Sequence, residues 1–443
     1  MKPLREVIAR VGRDVAQEVV VNVFAAAALA SLAFVGLGGR MEDVYLRLGG
    51  VESPSSVVSV LAIDEEALYL WDPANPAPAT TPRALLAVLV AFLQSAGAKV
   101  VVLDVLTDTP APGDDALLAA VVAHGRVVAA ERFTVGDAVP FAPASVLGHT
   151  VVPAYANLGQ EETTLFSGEL RVRAVPPVMS VARSRLSGAW PGNLVGGFAD
   201  DEAPIPALSL AAAYLHAADK TGAQLASELA AVCGGVPLSC TGNAAALGLP
   251  ASTRLLHESL PIYFRGAEGA DGIATVPAAR VLRLMGESAL ARSLGMELPV
   301  SVPTDLAGVI AGRVVLVGRT DAAAEDRFVT PFSFPAFQDA DMAGVRVHAQ
   351  VVDRLLAGRH LHRVDGPVAW ASAAVLGALV LATARRAGAS HLVGWLGALG
   401  LIGAGGAFAF RAFPGVVIDT GPAMATVAVA MIVVHLYARG AAE

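Results

Sequence analysis

Apolar residues in this chain collect at its two ends. Residues 19–39, 367–384, 392–410 and 418–437 are four runs almost free of charge, each about long enough for a hydrocarbon core of roughly 30 Å. Between them lies a long middle segment in which apolar and polar positions alternate or recur at helical spacing. Its first part reads β-α-β-α-β. Val57–Ile63 is a β-rich apolar run that ends at Asp64-Glu65-Glu66. Pro82–Ala96 is an amphipathic helix with Thr81 as N-cap and Gly97 as stop. Lys99–Val105 is a second buried strand, Asp114–His124 a second helix and Arg126–Glu131 a third strand. Further elements are predicted at Arg171–Val175, Leu208–Ala217, Leu260–Arg265, Arg313–Val317 and Val345–Leu356, with surface connections over 133–170 and 186–206. The predicted fold is an α/β exported domain with a mainly parallel sheet, plus four transmembrane α-helices, one N-terminal and three C-terminal.

The charges set the orientation. Lys2, Arg5, Arg10 and Arg13 precede the first run, Arg385 and Arg386 lie between the second and third, and Arg439 follows the fourth. Basic residues in short flanks favour the cytoplasm. Residues 1–18 are therefore predicted to be a cytoplasmic segment, 40–366 an extracytoplasmic domain and 438–443 a cytoplasmic tail. The runs and their flanks thus predict a multi-pass membrane protein. A cleaved signal peptide at Ala28-Leu29-Ala30 is the competing reading of the first run, but the apolar stretch continues well past a usual h-region. Ala374, Ala378 and Ala382, and the glycines from Gly394 to Gly406, permit close helix contact in lipid, within one chain or in a homodimer.

Composition narrows the function. The chain is 55% hydrophobic and 16% charged, against about 25% charged in soluble proteins, and its net charge is -8. No basic footprint for nucleic acid is present. Cys233 and Cys240 lie in a Gly/Pro/Ser-rich loop without zinc-knuckle spacing, and outside the cytoplasm a local disulfide is the favoured reading over two free thiols. Asp104 followed by Thr107 and Asp108 lacks the second carboxylate that a phosphate-transferring aspartate loop needs, because position 106 is Leu. Asp64-Glu65-Glu66 reads as solvated or capping charge rather than as a metal site, and His348 beside a helix start as a structural histidine. No catalytic residue, metal or cofactor is assigned, and the chain is not expected to be an enzyme. Ligands of parallel α/β sheets sit beyond the carboxyl ends of the strands. That rule makes Asp64, Glu65, Asp104, Thr320 and Asp326 the candidate ligand-binding residues.

The order and wording of the elements carry a resemblance. Val57-Val58-Ser59-Val60-Leu61-Ala62-Ile63-Asp64-Glu65 is followed by Trp71, Pro82-Arg83 and Ala96-Gly97-Ala98-Lys99-Val100-Val101-Val102-Leu103-Asp104-Val105. Then come Leu208-Ser209-Leu210-Ala211-Ala212-Ala213, Ile262-Tyr263-Phe264-Arg265-Gly266 and Gly312-Arg313-Val314-Val315-Leu316-Val317-Gly318. Ala343-Gly344-Val345-Arg346-Val347-His348-Ala349-Gln350 and Asp353-Arg354-Leu355-Leu356-Ala357-Gly358 close the series. The series resembles the extracellular CHASE sensor domain of type 2, over about residues 40–363. The inserted Pro/Ala stretch after Trp71 and the segment Asn157–Arg171 depart from the family pattern. The resemblance implies one membrane helix before the domain and three after it, followed by a cytoplasmic kinase, cyclase or phosphatase. Here only Ala438–Glu443 follow the last run, so a stand-alone form without an output domain is expected. Such a sensor detects an extracytoplasmic ligand or partner and acts through a separate membrane or cytoplasmic protein, with Arg385 and Arg386 as partner contacts. The alternative is an anchoring or docking subunit of a larger membrane complex.

Overall fold

The structure is a computed structural model. It describes residues 53–131 except 108, 151–162 except 157, 170–182 except 176 and 177, 202–218, 260–285, 302–333 except 325, 341–364 except 360, and scattered positions at 43–47, 147, 221–229, 244–250 and 416–418. The chain divides into two units, one of residues 50–161 and 171–360, the other of 1–49, 162–170 and 361–443.

The first unit is the α/β body. Its strands are β1 (Val58–Ile63), β2 (Val100–Asp104), β3 (Val127–Glu131), β4 (Val152–Tyr155), β10 (Ala274–Pro277) and β11 (Val314–Arg319). Among the described residues these six form one sheet in the order β10-β1-β11-β2-β3-β4, parallel throughout. The helices are α1 (Glu65–Trp71), α2 (Arg83–Ser95), α3 (Asp114–His124), α4 (Leu208–Ala218), α5 (Ala278–Met285), α6 (Thr304–Ile310) and α7 (Gly344–Ala357). Short strands at β5 (Gly159–Glu162), β6 (Leu170–Val175) and β9 (Leu260–Pro261), and the antiparallel pairs β7 (Val178–Ala182) with β8 (Glu202–Pro206) and β12 (Arg327–Phe328) with β13 (Met342–Ala343), lie outside the main sheet.

Strand alternation assigns the two faces. Leu61, Ile63, Val101, Leu103, Val127, Ala129, Val315 and Val317 join the apolar residues of α1, α2, α3, α5 and α6 in one core. The intervening residues, Val60, Val102, Leu316 and Ala130, belong to the other face, which carries α4 over β2–β4 and α7 over β1 and β11. Because the strands are buried on both faces, they read as continuous apolar runs.

Several boundaries differ from the sequence reading. Helix α2 starts at Arg83 with Pro82 as its cap residue, and Thr81 is not the N-cap. Proline holds the extended entry conformation, and this helix start has no side-chain cap hydrogen bond. Asp64-Glu65-Glu66 opens a helix that the sequence did not predict: Asp64 Oδ1 accepts from the Ala67 amide at 2.8 Å. The stretch 133–170 is not all connection, since it holds β4 and β5. The strand expected at Leu260–Arg265 narrows to Leu260–Pro261, after which Arg265 enters a buried ion network.

In the second unit, β14 (His362–Val364) and β15 (Val416–Ile418) pair in parallel, His362 opposite Val416 and Val364 opposite Ile418. No helix among the described residues is long and apolar enough to cross a membrane. The four apolar runs fall outside the described residues except for Ile418, as do Cys233, Cys240, Arg385 and Arg386.

Candidate functional site

All six strands of the sheet are parallel, so their carboxyl ends share one edge. The sequence places Asp64 after β1, Thr320 after β11 and Asp104 at the end of β2 on that edge, and the structure does so too. It gives them different work. Asp64 caps α1. Glu65 accepts from the Ala322 amide at 2.6 Å and so ties the loop after β11 to α1. Thr320 extends β11, its amide donating to Ile63 O at 3.0 Å and its carbonyl accepting from Arg327 at 3.2 Å. Asp326 lies at the start of α7: the Gly344 amide donates to its carbonyl at 2.9 Å, and its carboxylate fills the space where a Gly344 side chain would be. A negative charge there complements the helix dipole. These four residues hold loops and helix starts.

Asp104 is different. It has the parity of Val100 and Val102, so it faces α4 and α7. The residue as a whole keeps some exposure, yet Oδ2 is shut off from solvent and has no hydrogen-bond partner among the described residues. Burial pushes its carboxyl up to about 7. Its register partner is Gly318, and the first turn of α7 drops onto that glycine through Val345.

One turn further along α7, His348 is buried and its Nε2 donates to Ala156 O at 3.1 Å. A carbonyl only accepts, so Nε2 carries the proton and Nδ1 is a bare acceptor, with no partner among the described residues. Burial holds the imidazole below its usual range, against the opposing pull of Asp326. Helix α7 sits over β11, and Ala156 follows β4. In strand order, β2, which ends at Asp104, lies between β11 and β4. Ser209, in the first turn of α4, adds a third sequestered group, a hydroxyl also without a partner. Helix α4 begins at this edge, because Ala207 bridges Tyr155 at the end of β4.

The loop that follows Asp104 is fixed from the opposite face. Arg83 is buried; it donates to Leu106 O at 2.9 Å and Thr109 O at 3.4 Å and pairs with Asp114 at 3.3 Å, pinning the loop that follows Asp104. Asp104 Oδ2, His348 Nδ1 and Ser209 Oγ, each without a hydrogen-bond partner among the described residues, are groups that a small polar molecule could satisfy. Among the described residues no cluster of three or more His, Cys, Asp or Glu is placed to hold a metal ion. Sequence reasoning found Asp104 through the strand-end rule but took His348 as structural. Its period-two setting in Val345-Arg346-Val347-His348 was the available signal, since in a helix that spacing spreads polar groups around the whole circumference.

The CHASE2 domain family model matches residues 19–389. That is most of the chain, which therefore belongs to the CHASE2 family of extracellular sensor domains. Neither a curated protein nor a solved structure matches it.

Proposed function

We propose that this CHASE2 protein is a multi-pass membrane sensor whose α/β body recognises a small, polar, hydrogen-bond-donating ligand outside the cytoplasm. The ligand occupies the crevice at the carboxyl edge of the sheet, between the starts of α4 and α7. The observation that carries this reading is that Asp104 Oδ2 and His348 Nδ1, on the face of the sheet that carries α4 and α7, are sequestered and have no hydrogen-bond partner among the described residues. Buried polar atoms are nearly always hydrogen-bonded, so an unmatched pair at the usual ligand position of a parallel sheet marks a place for an outside donor. No covalent chemistry is assigned, and the role is binding rather than catalysis. The occupied state is passed on through the membrane segments to a partner protein.

The membrane placement rests on the four apolar runs and their basic flanks, and β14 and β15 support it. Val364 and Ile418 leave a parallel pair side by side and in the same direction. Two apolar runs that enter the membrane from the same side, separated by one out-and-back crossing, start in the same direction, as this pair does.

The test is retention of a small molecule by the full chain purified in nanodiscs. Extracts of the wild-type protein analysed by mass spectrometry are expected to contain a compound that Asp104→Asn and His348→Gln proteins lack, while both variants keep the wild-type circular dichroism spectrum. Equal retention by all three would remove the crevice as the site.

A docking role has one observation in its favour. Tyr69 (56% exposed) and Leu70 (41%) on α1, and Leu284 (43%) on the adjacent α5, leave an apolar surface. Stoichiometric co-purification of another membrane subunit that is lost on Tyr69→Ser/Leu284→Ser, with no retained small molecule, would favour this second reading.

A further inference from the structure

Helix α7 is buried from Gly344 through Leu355, yet it carries Arg346, His348, Gln350, Asp353 and Arg354. Burying a charge costs several kcal/mol unless it is paired and hydrogen-bonded, so the partners of these groups are informative. Arg346 donates to Asp271 Oδ1 at 2.7 Å. Gln350 accepts from the Arg265 amide at 2.7 Å and donates to Gly266 O and Asp271 Oδ2, each at 3.3 Å. Arg354 donates to Tyr263 O at 2.7 Å and stacks on the Tyr263 ring, 4.0 Å from its centroid. Asp353 binds at both oxygens, accepting from Arg265 Nη1 at one and from Ser55 Oγ, 2.5 Å away, at the other.

Arg265 is the hub. Besides Asp353 it reaches Asp271 O at 2.7 Å through Nε and the Ser53 carbonyl through Nη2. Ser55 Oγ also accepts from the Val58 amide at 3.1 Å, where β1 begins. Chain position gives these contacts their meaning. Ser53 lies 14 residues after Gly39, where the first apolar run ends, and Asp353 lies 14 residues before Pro367, where the second begins.

We infer that Arg265 and Asp353 form a latch that ties the segment arriving from the first apolar run to the helix departing toward the second, and that α7 links this latch to the crevice at its other end. This deepens the sensor reading above and rests on it. The helix touches the crevice through Val345 and His348 and the latch through Asp353, with no loop between. At 1.5 Å per residue, Val345 and Asp353 lie about 12 Å apart along the axis. Arg346, Gln350, Asp353 and Arg354 each have a discrete partner in the body. A shift at the crevice end therefore requires the latch contacts to be exchanged rather than stretched, which is the condition for a two-state response.

Amide exchange of the full chain in nanodiscs at pH 7 tests the link in both directions. His348→Gln retains a donor for Ala156 O. It is expected to speed exchange at Val57 and Val58 by about fivefold, and Ser55→Ala to speed exchange in the loop 320–327 by a similar factor, since coupling is reciprocal. Exchange in Leu85–Leu93 of α2, on the opposite face, is expected to stay unchanged. Loosening confined to the mutated end, or an equal rise in α2, would overturn the latch. The sensor reading is judged separately, by retention of a small molecule, so either can fail while the other stands.

Discussion

Val345 occupies the space that a side chain on Gly318 would need: a Cβ built on the glycine would lie 2.6 Å from Val345 Cβ. Gly318 is also the register partner of Asp104. The missing side chain on one strand thus lets the first turn of α7 settle beside the carboxylate on the next.

Gly318→Ala is therefore expected to destabilise the α/β body by about 2–3 kcal/mol, the range for overpacking a filled core. Val345→Ala is not expected to rescue it, because the clashing atom is the Cβ itself. Thermal melts of the single and double variants check this, and recovery in the double variant would place the conflict elsewhere.

Asp104 sets a pH dependence. Its folded-state carboxyl is raised to about 7 from 3.8. The folded state therefore holds this proton through a range in which the unfolded chain has lost it. Stability from this group is fully present below about pH 4 and falls as pH rises toward and through 7, by on the order of 4 kcal/mol in all. Asp104→Asn is expected to remove that slope and to be the more stable protein at pH 8. Melting temperatures at pH 5, 6, 7 and 8 decide it, and parallel slopes for both proteins would contradict the assignment.

Asp326 acts on His348 in the other direction. Its charge opposes the effect of burial on the imidazole. Asp326→Asn should lower the His348 titration further, as followed by NMR of the labelled ring. A rise would mean that another group controls the histidine.

Arg83→Ala removes one partner of a buried pair and strands two carbonyls, at an expected cost of about 3–5 kcal/mol. Limited proteolysis in the loop 105–113 should rise with it. By contrast, the Arg283–Glu66 pair is solvent-exposed, with side chains 61% and 49% accessible, and Arg283→Ala should leave the melting temperature unchanged.

Much of the sheet was legible because its strands are buried on both faces and spell Val-Val-Val-Leu-Asp or Val-Val-Leu-Val-Gly without interruption. Both edge strands escaped: Val152–Tyr155 is only four residues long with a proline in it, and Ala274–Pro277 has only Val276 buried and ends in proline, so neither has the apolar run. Helix α1 escaped because three acids after a strand look like a solvated loop until Asp64 is seen to cap Ala67. The candidate site was legible only as an edge. That Asp104 is sequestered while Glu65 and Asp326 are engaged depends on α7, some 240 residues downstream, and no local pattern reports that. The polar residues of α7 were visible as a motif, but their partners Ser55, Arg265 and Asp271 are joined to it only by folding.

The position of β11 between β1 and β2 also has a consequence in time. Those two strands are made early, but the strand that bonds to both begins at Val314, 210 residues after Asp104. At about 5–20 residues per second of synthesis, the nascent chain carries two open strand edges for roughly 10–40 s. Through that interval Val58–Ile63 and Val100–Asp104 are exposed apolar ribbons that can pair with each other in a wrong register or with a neighbouring chain. Closure of these two edges by β11 is therefore a late event in the making of the chain.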